Sequence, residues 1–145
     1  MISPKSLLVL SLALLASAAP TENTQSESLA AREAGSGEIT ARATTGQFTW
    51  YKTGLGACGV TNNDGQLIAA LNHAQFDPKT PNGNPNKNTY CGKKIRVSYQ
   101  GKSVDVAVMD RCPGCNWGDL DLSPAAFKKL APLGKGRITG TWNWI

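Results

Sequence analysis

The segment VMDRCPGCNWGDLDLSPAAF, residues 108–127, gathers the residue types that do chemistry: Asp110, Asp119 and Asp121, with Cys112 and Cys115 on either side of a Pro-Gly pair. Such a set suits a thiolate metal clip, a dithiol redox motif, a pair of catalytic carboxylates or the scaffold of a binding cleft. The chain has four cysteines and one histidine. Zinc would take all four cysteines, or three with His73, but the second CxxC of a zinc ribbon is absent. Cys112-Pro113-Gly114-Cys115 has redox spacing, yet that chemistry wants a helix N-terminus directly behind the first cysteine. Here Pro, Gly, Cys, Asn, Trp and Gly follow Cys112. The segment reads as a local staple closing a tight turn, with Cys58 to Cys91 as the long bridge. Four cysteines permit three connectivities, and neither a metal nor a cofactor is called for.

Compartment decides what cysteines can do, and the N-terminus speaks to it. Lys5 precedes an apolar run, Leu7 to Ala16, that ends in Ala16-Ser17-Ala18, the small-x-small pattern of a signal-peptidase site. The run is about half the ~20 residues a membrane span needs. Residues 1–18 are therefore expected to be a signal peptide, and the mature chain a secreted protein with no membrane segment. Residues 19–45, rich in Ala, Ser, Thr and Glu, hold too little apolar surface to offset the entropy of ordering and are expected to be a disordered leader. The whole chain carries +5, yet its acidic leader contains four glutamates, so the remainder is more basic than the total. A basic extracellular domain is drawn to acidic polysaccharide, anionic surfaces or acidic protein. Nothing specific to nucleic acid is present.

Residues 46–145 remain as one domain, large enough for a core and small enough to gain from disulfides. QFTWY, between Gly46 and Gly54, reads as a strand. KKIRVSYQGKSVDVAVMD places Ile95, Val97 and Tyr99 on one face of a strand and Val104, Val106 and Val108 on one face of the next. Gln100-Gly101 between them makes this a hairpin. Three prolines and several asparagines between Asp77 and Asn88 predict a long surface loop. SPAAFKKL predicts a short helix with Ser123 as N-cap and Pro124 at its first position. GRITGTWNWI predicts a last strand whose Ile138, Trp142 and Trp144 close the core, while QLIAAL suits a buried strand or a short helix equally. The count favours a small all-β barrel with one or two short helices.

GACG at 56–59, CGKKIRV at 91–97, VMDRCPGC at 108–115 and DLDLSPAAF at 119–127, in this order, resemble the double-psi β-barrel of the expansin, barwin and rare lipoprotein A superfamily. The likeness is greatest to small secreted fungal members and also holds for the bacterial papain inhibitor. It implies a six-stranded, disulfide-stapled double-psi β-barrel over residues 46–145. It implies nothing single about activity, because the same barrel serves wall-loosening proteins, endoglucanases, lytic transglycosylases, defence proteins and a protease inhibitor.

By that resemblance Asp121 matches the groove carboxylate, Asp110 an acid of the bacterial expansins and Thr49 a groove threonine; Tyr51 and Trp117 complete the expected polysaccharide-binding set. Lys52 stands near the place where the endoglucanases carry a second aspartate, and Asp119 replaces the histidine before the groove acid of plant expansins. Glycosidic hydrolysis normally needs two carboxylates about 5 to 10 Å apart, and no catalytic residue is assigned. Read structurally, Asp121 caps the turn before the helix, and Asp110 pairs with Arg111 or Lys94. The expected function is a non-hydrolytic, expansin-like module, monomeric, binding or loosening wall polysaccharide such as cellulose, chitin or a peptidoglycan-like polymer. The alternative is a protein-binding module, an inhibitor of papain-type cysteine proteases or a secreted effector, acting through loops 77–90 and 113–119. A glycan-cleaving lytic enzyme is a third reading.

Overall fold

The computed structural model describes residues 42–145. The expected signal peptide and the leader up to residue 41 lie outside the described residues. Six strands form a closed barrel: β1 (Thr44–Trp50), β2 (Ile68–Asn72), β3 (Lys94–Tyr99), β4 (Lys102–Cys112), β5 (Leu120–Leu122) and β6 (Arg137–Trp144). Around the barrel they run β1-β5-β2-β4-β3-β6. The pairs β1–β5 and β2–β4 are parallel and the other four antiparallel. Strand β1 begins at Thr44, so Thr44 and Thr45, placed in the leader from composition, are barrel residues.

The alternating segments form the antiparallel part. Ile95 faces Val106 and Val97 faces Val104, all four turned inward, and Gln100 and Gly101 make the turn with φ of 44° and 78°. Two successive left-handed residues match the twist of a two-residue hairpin loop. Of the ambiguous QLIAAL, Ile68–Leu71 lie in strand β2, which is buried along its whole length between β4 and β5, while Gln66 and Leu67 precede it and are exposed. A strand with no solvent face has no alternation to show.

Two short helices cover the barrel, α1 (His73–Phe76) and α2 (Pro124–Leu130). The Ser123 hydroxyl caps α2 by accepting from the Ala126 amide, and Phe127 and Leu130 are buried below it. With Phe48, Leu71, Leu120, Leu122 and Trp142 they form one core. Burying side chains of this size is worth about 1.5 to 3 kcal/mol each. The proline-rich loop after α1 is folded into three single 3-10 turns. Buried Asn88 organises it by donating to the Phe76 carbonyl at 2.7 Å and to Thr80 Oγ1 at 2.9 Å.

The cysteines pair as Cys58–Cys91 and Cys112–Cys115, which uses all four. One close approach fixes the strand ends near them. A Cβ on Gly46 would collide with the Gly118 carbonyl, and Gly118 itself has φ of 90°. Both positions therefore require glycine.

Candidate functional site

The barrel's register assembles the site in one row. Arg137 is the partner of Thr49, Thr49 of Asp121, Asp121 of Ala70, and Ala70 of Asp110. Cross-strand partners share a face, so five strands present these side chains side by side on the outside of the wall. For Asp110 this takes a register shift. Val104, Val106 and Val108 point inward, and strict alternation would carry position 110 inward as well. A bulge between Ala69 and Ala70 leaves Met109 unmatched and brings Asp110 onto the outer face beside Ala70. Asp121 and Asp110 thus flank one strand, with backbones about 10 Å apart, two strand spacings.

The two carboxylates are used differently. Thr49 Oγ1 donates to Asp121 Oδ1 at 2.8 Å. Burial pushes the Asp121 carboxyl above the usual carboxylate range, and the nearby Asp110 charge adds to this, while the Thr49 hydrogen bond and Arg137 oppose it. With Gln47, Arg137, Asp119 and the Cys112–Cys115 bridge, Thr49 and Asp121 line a shallow depression of about 230 Å³. Asp110 instead spends both oxygens on the fold. Its Oδ1 accepts from the Ala57 and Arg111 amides, each at 2.8 Å, and its Oδ2 accepts from the Tyr51 hydroxyl at 3.1 Å. Burial first, and Asp110 second, hold the Tyr51 phenol well above its ordinary range, so it stays a proton donor to that carboxylate.

The structural roles expected from sequence shift accordingly. The Arg111 guanidinium pairs with Asp77, at 2.6 and 2.8 Å, and only its amide meets Asp110. Asp121 lies inside β5 and bonds Thr49, while the helix is capped by Ser123. Asp119 ties a loop to β1, its two oxygens accepting from the Gln47 and Asn116 amides at 2.8 and 3.1 Å. Lys52 lines a separate depression with Trp50, Asp64 and Lys128, and its charge acts on Asp64. Trp117 is 63% exposed in the 113–119 loop and is not among the residues lining the depression that holds Asp121.

Thr49, Tyr51, Asp110 and Asp121 are therefore brought together, while Trp117 stands apart. Arg137 and Gln47 were missed: Arg137 Nη1 donates to Gln47 Oε1 at 2.6 Å beside Asp121. Their place follows from the pairing of the first and last strands, 88 or more residues of chain apart in register, and no local pattern announces it.

Comparison with known proteins joins this geometry to a family. Residues 43–142 match the double-psi β-barrel family described as lytic transglycolase. The papain inhibitor of Streptomyces mobaraensis is 40% identical over 105 residues, 70% of this chain and 71% of that protein. The solved structure of Streptomyces papain inhibitor superposes with a TM-score of 0.66 at 40% identity, covering 72% of this chain and 96% of that one. The apo structure of Clavibacter michiganensis expansin superposes with a TM-score of 0.59 at 25% identity, covering 71% of this chain and 50% of that one. The chain belongs to the lytic transglycolase family of double-psi β-barrels.

Proposed function

We propose that this chain is an extracellular, non-catalytic binding module whose partner is a papain-type cysteine protease. The observation that carries this reading is the 40% identity to a protein named for inhibiting papain, sustained over 71% of that protein's length. The state of the carboxylates supports the non-catalytic part. Hydrolysis of a glycosidic bond by the inverting or retaining route needs an acid and a second, free carboxylate acting as base or nucleophile. Asp121 has an oxygen open to the depression, but Asp110 accepts three hydrogen bonds from the fold. An extracellular destination is supported by the signal-peptidase pattern and by two disulfides in a domain of this size.

A second reading keeps polysaccharide as the ligand, held along Thr49, Asp121 and Arg137. It is favoured by the outward row itself, which offers a hydroxyl, a carboxylate and a guanidinium on one face. It is weakened because, among the described residues, no aromatic ring lines that depression, and sugar sites usually rely on stacking against a ring. One experiment separates the two: papain activity with increasing amounts of the protein, beside pull-down on insoluble cellulose, chitin and peptidoglycan. The first reading expects loss of papain activity and no retention on the polymers. Retention without inhibition would give the module to polysaccharide.

A further inference from the structure

Resting on the protease-binding reading, we infer that the inhibitory surface is the segment Thr53–Asn63, with Leu55 as its anchor and Val60 beside it. This lies outside the row of Thr49, Asp121 and Arg137, and apart from the 113–119 loop.

The segment combines apolar exposure with rigidity. Leu55 is 75% exposed and Val60 45%, and no residue from Thr53 to Asn63 is charged, although the chain as a whole carries +5. Leu55 and Val60 leave aliphatic side chains exposed on the two arms of one bridged turn, and loss of charge is the composition of an interface core. Left mobile, such a loop would lose much of its binding energy to ordering. Here the ordering is done in advance. Leu55 and Thr61 form a β-bridge, Gly56 N donates to the Val60 carbonyl at 3.0 Å, and Asn62 N to the Gly54 carbonyl at 2.9 Å. Asp64 Oδ1 holds the entry by accepting from the Thr53 amide and hydroxyl at 2.8 and 2.9 Å.

Anchorage to the barrel is equally direct. Asp110 Oδ1 accepts from the Ala57 amide, Cys58 N donates to the Met109 carbonyl, and Cys58 is bonded to Cys91. Gly56 lets the backbone lie against β4, since a Cβ there would meet the Met109 carbonyl at 2.5 Å. Asp110 and Tyr51 thereby acquire a positioning role: they fix the segment that carries Leu55. The neighbouring turns extend the same face. Gly59, at φ of 79°, packs against the Asn86 side chain, and Pro81–Asn86 is also free of charge. A rigid, neutral, apolar knob suits a protein partner, and the 40% identity to a protein named for inhibiting papain points to the protease as that partner.

The test uses the mature protein with papain as the probe. Leu55→Asp and Val60→Asp are compared with wild type and with Trp117→Ser. Both aliphatic side chains are exposed, so the variants should melt with the wild type; Leu55→Ser provides a milder change at the same site. The inference expects the inhibition constant to rise about 30-fold or more for Leu55→Asp, the size of an anchor residue's loss. It expects a smaller rise for Val60→Asp and none for Trp117→Ser. Wild-type inhibition undiminished by either Leu55 variant, or lost in Trp117→Ser alone, overturns the role of this segment and leaves the protease reading standing. A wild type without effect on papain overturns that reading itself.

Discussion

Two aspartates one strand apart behave differently because of what surrounds them. Asp110 satisfies three donors, so Asp110→Asn exchanges one acceptor oxygen for a donor amide facing N–H or O–H groups. A loss of about 1 to 3 kcal/mol is expected, read as a lower melting temperature, together with weaker papain inhibition as the Ala57 anchor slackens. Tyr51→Phe removes one hydrogen bond and should cost about 1 kcal/mol. Asp121 gives the opposite sign. Its carboxyl is held above the usual range in the folded state, chiefly by burial, so its contribution to stability is full below the unfolded-state pKa and is lost as pH rises through the folded one. Asp121→Asn removes that loss. Its melting temperature relative to wild type should therefore climb as pH rises above the ordinary aspartate pKa of about 4. A relative melting temperature that falls over this range would show that the ionised carboxylate is favourably held. Thr49 and Asp121 were legible from motif resemblance, but the use of Asp110 was not. Two of its three partners are backbone amides, which carry no side-chain signature, and its outward direction depends on a bulge that breaks the alternation of β4.

Elements with local signals emerged from the sequence as they stand: the β3–β4 hairpin from alternation and its Gln-Gly turn, and α2 from Ser123 and Pro124. The parallel pairs β1–β5 and β2–β4 did not, because a parallel pairing joins segments distant in the chain and leaves no mark in either one. The aliphatic residues of Thr53–Asn63 carry no signal in the sequence for a related reason. Leu55 and Val60 have no periodic partners, and exposure is a property of the fold. The two disulfides should differ in worth. Cys58–Cys91 spans 33 residues and should contribute about 3 to 4 kcal/mol by chain entropy, whereas Cys112–Cys115, spanning 3, contributes about half of that. Denaturant titration of the paired serine variants checks this, and equal losses would mean that native strain outweighs the entropy of the unfolded chain. Only the longer bridge should also matter for papain, since it alone holds the Leu55 segment.

For the whole molecule, the barrel supplies a rigid frame on which two different surfaces are carried. The outer row through Asp121 is polar and contains a carboxylate pushed toward its protonated form; the Leu55 segment is apolar and neutral. The row alone lacks a free second carboxylate for hydrolysis, so incubation with amorphous cellulose should release no new reducing ends above a heat-killed control. Turnover abolished by Asp121→Asn would show that the missing base is supplied in some other way. Inhibition, in contrast, demands nothing but a stable, preorganised contact. The measurement that bears most directly on this account is a titration of papain at fixed concentration with the purified mature protein. The account predicts that residual activity falls to near zero as the protein exceeds the enzyme, with the inhibitor recovered uncleaved. Full papain activity in a large excess of folded protein would contradict it.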